Sequence, residues 1–415
     1  MPENVMVIGG GPVGAFSAYF LKKIHMDVKW IAGKSMQNAA AWSSAGLLGV
    51  GLSFPLPEYE GLRGNVKWLL KRDSPVKLGV GFLFSNAGWF LNYSRSRDRI
   101  ISKEGINAQT LLTVRTLDSM NELFQSKVID ADCSKNGLLQ LFSDNHFMEE
   151  HLKQLKDAEG QIGKYDLLDS QACKDMEPSI ERNNIMGIFY PEEYSLNPQK
   201  LMMSLRKLNE EEGVETIEND IVGLESSGNK VTGTVLDNEE RIVSGSYLLA
   251  AGSKNQHLSR SLNLHVPVVP GWGHAEVLSS SGLKLKVPVE LAEKGVYIIP
   301  TSDILKITSF FEFNGENFKA PQNRFQFIEN AVADYFPQLK HLPPSQKTSG
   351  KRPCTPDSLP IVGKSGKFEN LFFATGNCRQ GIMQSAEMGR VAADVILNGK
   401  LPEEYSVLSP SRFGI

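Results

Sequence analysis

The chain opens with a short apolar run, then a cluster of glycines, then a helical pattern. Residues 4–9 (NVMVIG) predict a buried strand, and residues 12–24 place apolar side chains on one helical stripe. That stripe consists of Val13, Phe16, Phe20, Leu21 and Ile24. A second apolar run at 28–32 completes a strand–helix–strand unit of about 30 residues. Parallel strands bridged by a helix predict a doubly wound α/β sheet.

Later segments alternate between this α/β pattern and a pattern of consecutive antiparallel strands. Helical periodicity predicts helices at 107–127, 146–160 and 196–213, the last capped by Asn197 with Pro198 in its first turn. Strands are predicted at 214–225, 230–236 and 246–251, an antiparallel sheet over 266–313, and finally the strand NLFFATG (370–376) followed by a helix at 384–397. Because α/β pieces recur at the start, middle and end, two domains are predicted, each built from separate segments.

Composition narrows the class of protein. With 415 residues, 41% hydrophobic, 22% charged and a net charge of −3, the chain is typical of a globular protein without a nucleic-acid partner. Cys133, Cys173, Cys354 and Cys378 are widely spaced, so neither a zinc site nor a disulfide framework is expected and a reducing compartment is the simpler interpretation. We find no secretory signal and no apolar run of about 20 residues. The expectation is a cytoplasmic protein without a metal.

Gly9-x-Gly11-x-x-Gly14 is the strongest local motif. It follows a predicted strand and opens a predicted helix together with Pro12 and Val13. In a dinucleotide-binding turn the first glycine permits the tight turn, the second lets the backbone approach a pyrophosphate, and the third allows close helix–strand packing. The helix N-terminus then offers N–H groups and positive potential to the phosphates. The motif predicts a bound dinucleotide.

One element of this fingerprint is missing. An acidic residue about 20 positions on should take the ribose hydroxyls, but no Asp or Glu occurs between Asp27 and Glu58. Either Lys34, Ser35 or backbone groups hold the adenosine end, or the nucleotide is bound more weakly.

These motifs and several others resemble the FAD-dependent oxidoreductase family typified by D-amino-acid dehydrogenase, glycine oxidase and sarcosine oxidase. The resemblance covers nearly the whole chain. It is carried by the segments IGGGPVG (8–14), WSSAGLL (42–48), KWLLKRDSPVKL (67–78), YLLAAGS (247–253), PVVPGWGH (267–274), VYIIP (296–300), GKRPCTPDSLPIVG (350–363) and NLFFATGNCRQGIMQSAEMGRVAADVI (370–396). The closing pair is the most specific, and SPVKL favours the D-amino-acid dehydrogenase branch.

The resemblance implies bound FAD and a set of residues around it. Residues Trp42, Ser43, Ser44, Ala45 and Gly46 would lie beside the isoalloxazine, Val222 would contact adenine through its backbone, and Ala251 and Gly252 would follow a buried strand next to the cofactor. Gly376, Asn377, Arg379, Gly381, Ile382 and Met383 would form the approach to a helix beginning near 381 or 382, with its N-terminus aimed at the flavin N1–C2=O edge. The family usually has His where this chain has Asn377. A plain loop at 42–46 and a plain strand at Val222 are the alternatives.

The same resemblance assigns the substrate side. Arg352 would grip a substrate carboxylate, Arg379 would lie near the same pocket, and Tyr297 would face the substrate. Structural ion pairs for the arginines and core packing for Tyr297 remain alternatives. Cys354 stands in a different register from the cysteine that links flavin covalently in sarcosine oxidases, so non-covalent FAD is expected. His274 is expected to be structural.

Together these features predict an α/β protein with a Rossmann-like FAD-binding domain (1–60, 190–255 and 345–415) and an α+β substrate domain built on an antiparallel sheet (61–189 and 256–344). The expected activity is oxidation of the C–N bond of an amino acid or amine by hydride transfer to flavin N5, with oxygen or a quinone as electron acceptor. One alternative is a flavoprotein that modifies a residue of a partner protein, maturing a peptide-derived quinone cofactor. Another is a flavin-binding assembly subunit without turnover.

Overall fold

The computed structural model of the chain describes residues 4–34, 39–49, 74–96, 102–157, 163–279, 285–340 and 342–415. Its strands are β1 (Asn4–Ile8), β2 (Asp27–Ile31), β3 (Leu47–Leu48), β4 (Val76–Leu78), β5 (Leu138–Phe142), β6 (Asp166–Leu168), β7 (Met186–Tyr190), β8 (Tyr194–Ser195), β9 (Glu215–Ile217), β10 (Ile221–Ser227), β11 (Lys230–Leu236), β12 (Arg241–Ile242), β13 (Ser246–Leu249), β14 (Val269–Ser279), β15 (Val289–Leu291), β16 (Val296–Pro300), β17 (Ile304–Phe313), β18 (Gln346–Cys354), β19 (Ile361–Lys364) and β20 (Leu371–Thr375).

The α-helices are α1 (Pro12–Lys23), α2 (Val80–Ser85), α3 (Ala87–Arg95), α4 (Lys103–Gln125), α5 (Asn145–Asp157), α6 (Ser170–Met176), α7 (Pro198–Glu211), α8 (Asn255–Arg260), α9 (Gln322–Ala333) and α10 (Ser385–Asn398). No helix within these ranges combines the length and apolarity needed to cross a lipid bilayer.

Strands from distant parts of the chain form the first sheet. In the described residues it has six strands in the order β19-β20-β13-β1-β2-β9, all parallel to their neighbours except β19. Helices α1, α7 and α10 pack on one face, where Phe16, Leu205 and Val391 belong to one buried cluster. The opposite face is covered by β10–β12 and α8, with Leu224 and Leu258 in a second cluster. The sheet is therefore covered on both faces, as parallel sheets are.

The second sheet is larger and mostly antiparallel. Over the described ranges it runs β18-β14-β17-β16-β15-β5-β7-β6, with β4 paired to β17. Two of its pairings, β15 with β5 and β4 with β17, are parallel. Helix α9 covers one face through Ile328 and Val332. This sheet presents its other face toward the carboxyl ends of the first sheet.

The predicted fold class, a Rossmann-like α/β unit joined to an α+β unit with an antiparallel sheet, is confirmed. Helix α7 has the predicted cap, because the Asn197 side chain accepts hydrogen bonds from the amides of Gln199 and Lys200. Two details differ. The strand predicted at 214–225 is broken at 218–220 into β9 and β10, and β18, which lies within the segment 345–415, is hydrogen-bonded into the second sheet.

The expectation that the cysteines form no disulfide is wrong for one pair. Cys354 at the end of β18 is bonded to Cys378, which follows β20, and their Cα atoms are 4.5 Å apart. The two are 24 residues apart in sequence. Spacing did not reveal the pair because only the folding of β19 and β20 brings the two segments together. Cys133 and Cys173 are free thiols.

Candidate active site

A cavity of about 1140 Å³ lies where the first sheet meets the second. The first sheet contributes the carboxyl ends of β1, β2, β13 and β20 through Gly9, Gly33, Ala251 and Thr375. The second contributes the face that carries Tyr297 and Arg352, among others. The carboxyl ends of parallel strands are where open α/β sheets bind ligands. The volume exceeds that of a typical single-ligand pocket, so it can hold a cofactor together with a substrate.

The glycine turn at 9–14 forms one end of the cavity. Gly9 has φ +141°, and a side chain there would collide with the carbonyl of Ala250. Gly11 has no heavy atom near its would-be Cβ and lines the cavity, so a side chain at this position would enter the space. No side chain caps α1, which starts at Pro12. The helix N-terminus is therefore directed at this end of the cavity without a capping side chain, which suits a pyrophosphate.

An acidic residue stands near the end of β2 after all, but it comes from elsewhere in the chain. Asp220 lies between β9 and β10, lines the cavity, and would be 3.1 Å from a Cβ on Gly33. Lys254 pairs with it at 3.3 Å. The sequence contains an indication of this acidic loop, because the polar stretch Glu218-Asn219-Asp220 interrupts the predicted strand.

Ser43, Ser44 and Ala45 line the cavity from a single 3₁₀ turn and the residues after it. Trp42, in the same turn, lies behind the wall, and its carbonyl accepts a hydrogen bond of 2.6 Å from Lys306 Nζ. Lys306 is buried in the middle of β17, and burial lowers the pKa of its amine to about 7. The sequence pattern does not reveal this lysine, which anchors the turn to the second sheet.

The segment after β20 reaches the cavity differently from the prediction. Asn377 leads into a 3₁₀ turn (Cys378–Gln380), four further turn residues follow, and the helix starts only at Ser385. The start near 381 or 382 that the resemblance implied is therefore wrong, because residues 381–384 form turns, whereas the helix predicted from periodicity at 384–397 is confirmed. Gly381, Ile382 and Met383 nevertheless line the cavity, in the turn that precedes α10.

Arg352 is held by backbone carbonyls. Its Nη1 donates to the carbonyl of Phe310 at 2.9 Å and to that of Trp272 at 3.2 Å. Phe310 has φ +72°, an unfavourable conformation for a bulky residue, at a register shift between β14 and β17. A side chain at Gly273 would collide with the guanidinium. The local backbone is thus shaped around Arg352.

The electrostatics of this end are positive. Burial and, to a smaller extent, the nearby charge of Arg379 lower the pKa of Arg352 to about 10, while Tyr297 opposes the shift. Arg352 therefore remains charged at neutral pH. Within the described part of the chain no carboxylate forms an ion pair with Arg352, while its guanidinium borders the cavity. The Cys354–Cys378 bond joins the segments that carry Arg352 and Arg379.

The structure brings together most of the residues that the sequence analysis assigned to the site. Those that line the cavity are Gly9, Gly11, Pro12, Val13, Ser43, Ser44, Ala45, Ala251, Gly252, Tyr297, Arg352, Asn377, Arg379, Gly381, Ile382 and Met383. Gly14, Trp42, Gly46 and Gly376 lie behind its wall.

Two assigned residues lie elsewhere. Lys34 points away and pairs with Asp237 at 2.5 Å. Val222 is 50% exposed, and the preceding residue, Ile221, lines the cavity instead. Ser35 falls outside the described residues. His274 is buried between Ser349 and Glu312 and does not border the cavity.

The cavity fits FAD on its own geometry. Gly11, Gly252 and Gly381 all line it, and at each a Cβ would meet no atom within 4 Å, so the wall is open where a large planar and phosphorylated ligand needs room. The Ser43 hydroxyl at this wall is buried without a hydrogen-bond partner among the described residues. Asp220 and the uncapped end of α1 supply groups for a ribose and a pyrophosphate.

Comparison with known proteins agrees with this geometry. The family model for FAD-dependent oxidoreductases matches residues 4–395. A D-amino acid dehydrogenase of Helicobacter pylori is 23% identical over 414 residues, covering 100% of this chain and 99% of the relative. Glycine oxidase from Geobacillus kaustophilus has the same fold, with a TM-score of 0.77, 18% identity and 98% of each chain covered. Iminodiacetate oxidase from Chelativorans sp. BNC1 also shares it, with a TM-score of 0.74, 18% identity and 98% of each chain covered. The chain belongs to the FAD-dependent oxidoreductase family, and its cofactor is FAD.

Proposed function

We propose that this protein oxidises the C–N bond of an amino acid or a closely related amine. The observation that carries the proposal is the meeting of Arg352, Arg379 and Tyr297 in the cavity that fits FAD. Two guanidinium groups suit a substrate carboxylate because each offers a planar fork of donors. The names of the relatives, D-amino acid dehydrogenase and glycine oxidase, support the same substrate class.

The proposed division of labour follows the two sheets. The segments 1–60, 190–255 and 345–415 hold FAD non-covalently, and 61–189 with 256–344 shape the substrate space. β18 crosses that division, because it carries Arg352 into the second sheet. Asp220 takes the ribose hydroxyls in place of the acid missing after β2.

When bound, FAD would supply the redox chemistry as the acceptor of the hydride that leaves the substrate α-carbon. The chain's own residues orient the reactant. Arg352, fixed by the carbonyls of Phe310 and Trp272, holds the carboxylate and so fixes the α-carbon beside the cofactor. The substrate nitrogen must be neutral so that its lone pair can form the imine as the hydride leaves. Water then hydrolyses the released imine to the oxo product.

The experiment is anaerobic mixing of the holoenzyme with D- and L-amino acids, glycine, proline and N-methylglycine while flavin absorbance is followed. Bleaching by at least one of them is expected. Arg352→Ala should raise KM for that substrate by at least about 30-fold, whereas Arg241→Ala, at an exposed arginine paired with Glu225, should not change it. Bleaching by none of the free compounds, but by a precursor protein, would replace the proposal with side-chain modification of a partner.

A further inference from the structure

The Cys354–Cys378 disulfide lies beside both arginines of the proposed substrate site. Arg352 stands two residues before Cys354 on β18, so the alternation of side chains along the strand places both on the same face of the second sheet. Arg379 directly follows Cys378 in the turn after β20. One covalent bond therefore ties together the two backbone segments that carry the guanidinium groups.

An aromatic ring connects the disulfide to Arg352. The ring of Phe311 and the Sγ of Cys354 would each stand 2.9 Å from a Cβ on Gly271, so the ring and the sulfur occupy neighbouring space. The Arg352 guanidinium lies over that ring, 5.7 Å from its centroid. Phe311, Cys354 and Cys378 also belong to one apolar cluster. The disulfide is thus packed in the same cluster as the ring on which the guanidinium lies.

The turn that carries Cys378 has an unfavourable backbone conformation. Cys378 has φ +42°, in the left-handed region that residues with a Cβ rarely adopt. Such a conformation persists only where the surrounding structure imposes it. Here the disulfide ties Cys378 to the end of β18, and an isolated β-bridge joins Asn377 to Cys354. Cleavage of the S–S bond removes the covalent part of this constraint, so the turn can relax.

Electrostatic repulsion acts in the same direction. Besides burial, the charge of Arg379 contributes to the lowered pKa of Arg352, so the two positive charges are close enough to repel each other. The disulfide opposes this repulsion because it holds the two segments together. A bound carboxylate would offset the repulsion by pairing with both charges.

The bond can be reached from the cavity. Cys354 is fully buried, and Cys378, which is 7% exposed, lines the cavity next to Arg379. A small dithiol in the substrate space can therefore attack the Cys378 sulfur as a thiolate and release Cys354. Its second thiol then displaces Cys378 from the mixed disulfide. The protein bond gains two electrons and two protons, and the dithiol becomes a disulfide.

We propose that the Cys354–Cys378 disulfide positions the two substrate arginines, and that its reduction by a dithiol weakens binding of the substrate carboxylate. This role rests on the proposed oxidation of an amino acid. Cys354 and Cys378 are positioning residues, since they act through Arg352 and Arg379. In the oxidised protein both guanidinium groups serve one carboxylate. In the reduced protein the turn after β20 relaxes and Arg379 moves away from Arg352.

The holoenzyme is compared before reduction, after treatment with dithiothreitol and removal of the excess, and after re-oxidation with diamide. The substrate dependence of anaerobic flavin bleaching gives the substrate Kd and the limiting rate. Reduction should raise Kd by about tenfold or more, because one charge-assisted contact to the carboxylate is lost. The limiting rate should change little, and re-oxidation should restore Kd. Cys133→Ser, which removes a free thiol and keeps the disulfide, is the matched control and should respond as the wild type does.

The double variant Cys354→Ser, Cys378→Ser should show the higher Kd without any reductant and should not respond to dithiothreitol. A second readout needs no turnover and no variant. Propanoate should raise the melting temperature of the oxidised holoenzyme more than chloride does at equal ionic strength, and reduction should diminish this difference.

Reduction that is complete by thiol titration but leaves both the substrate Kd and the propanoate effect unchanged would overturn the positioning role. If no amino acid bleaches the flavin, the proposed oxidation fails. The propanoate comparison then still decides whether the disulfide positions a carboxylate site.

Discussion

Lys306 is a basic side chain in an apolar position, between the sheet and the turn that carries Trp42. Its amine donates a hydrogen bond to the backbone carbonyl of Trp42. Burial lowers the pKa of this amine to about 7. In the unfolded chain the pKa of this lysine would be its ordinary value near 10.5. The buried Lys306 therefore lowers the free energy of unfolding at every pH at which the unfolded chain binds this proton.

The sign of the pH dependence follows from this difference. The loss of folding stability is complete below pH 7 and disappears as the pH rises toward 10.5. Between these values the loss declines by up to about 1.4 kcal/mol per pH unit. Lys306→Met removes it. We expect the stability of Lys306→Met relative to wild type to decrease steadily from pH 7 to pH 10 in denaturant unfolding. The exposed Lys207→Met should show no such trend, and a pH-independent difference for Lys306→Met would contradict the assignment.

At this scale the sequence predicts some residues well and others not at all. Arg352, Arg379 and Tyr297 could be placed in the site because they stand in recognisable motifs. Lys306 could not, because in the run ILKITSFFEF a lysine between apolar residues is also what the solvent face of a half-exposed strand shows. Only the packing of the turn that carries Trp42 against β17 shows that this face is covered.

At the level of secondary structure, the connection between β9 and β10 supplies the acidic residue that the first strand–helix–strand unit lacks. Asp220 in this connection reaches the end of β2 and lines the cavity. The glycine motif predicted the phosphate-binding end from local sequence alone. The partner for the ribose could not be predicted that way, because it lies almost 200 residues further along the chain and depends on β2 pairing with β9.

Asp220→Asn should weaken FAD binding. A neutral amide accepts ribose hydroxyls less strongly than a carboxylate, and the loss of one charge-assisted bond corresponds to an increase in Kd of about tenfold or more. Fluorescence titration of the apoprotein with FAD measures this. Asp237→Asn, which breaks the Lys34 pair outside the cavity, is the control. The same Kd in both variants would argue against a ribose contact.

The disulfide links two elements rather than two surface loops. It closes a loop of 24 residues between the end of β18 and the turn after β20, a length for which a bond contributes about 3 kcal/mol to stability. Thiol titration in denaturant should find two thiols in protein prepared without reductant and four after reduction, because the chain has four cysteines. Cys133→Ser should lower both numbers by one. Four thiols before reduction, even after treatment with diamide, would contradict the pairing.

On the scale of the whole molecule, α1 and α10 come from the two ends of the described chain and pack against each other. Gly389 in α10 permits the contact, because a Cβ there would stand 2.7 Å from the amide of Ser17 and 2.8 Å from the carbonyl carbon of Phe16. Both helices were predictable from their periodicity. Their contact was not, since nothing in either pattern identifies its partner.

Gly389→Ala should therefore destabilise the protein by about 1–3 kcal/mol, because backbone cannot move aside as a flexible side chain can. The melting temperature of the holoenzyme should fall accordingly. Gly81→Ala, at a helical glycine with open space around its Cβ, is the matched control and should not lower it. An unchanged melting temperature in Gly389→Ala would mean that the two helices are further apart.

The order of strands in the first sheet also constrains how the protein is made. β1 and β2 leave the ribosome early, but their neighbour β13 and then β20 are synthesised more than 200 residues later. Domains whose segments are contiguous can fold while translation continues, whereas this cofactor cavity lacks a wall until residues 376–383 have emerged. A prematurely terminated chain would therefore carry the glycine turn without a complete flavin site, and partial translation products would be redox-inactive.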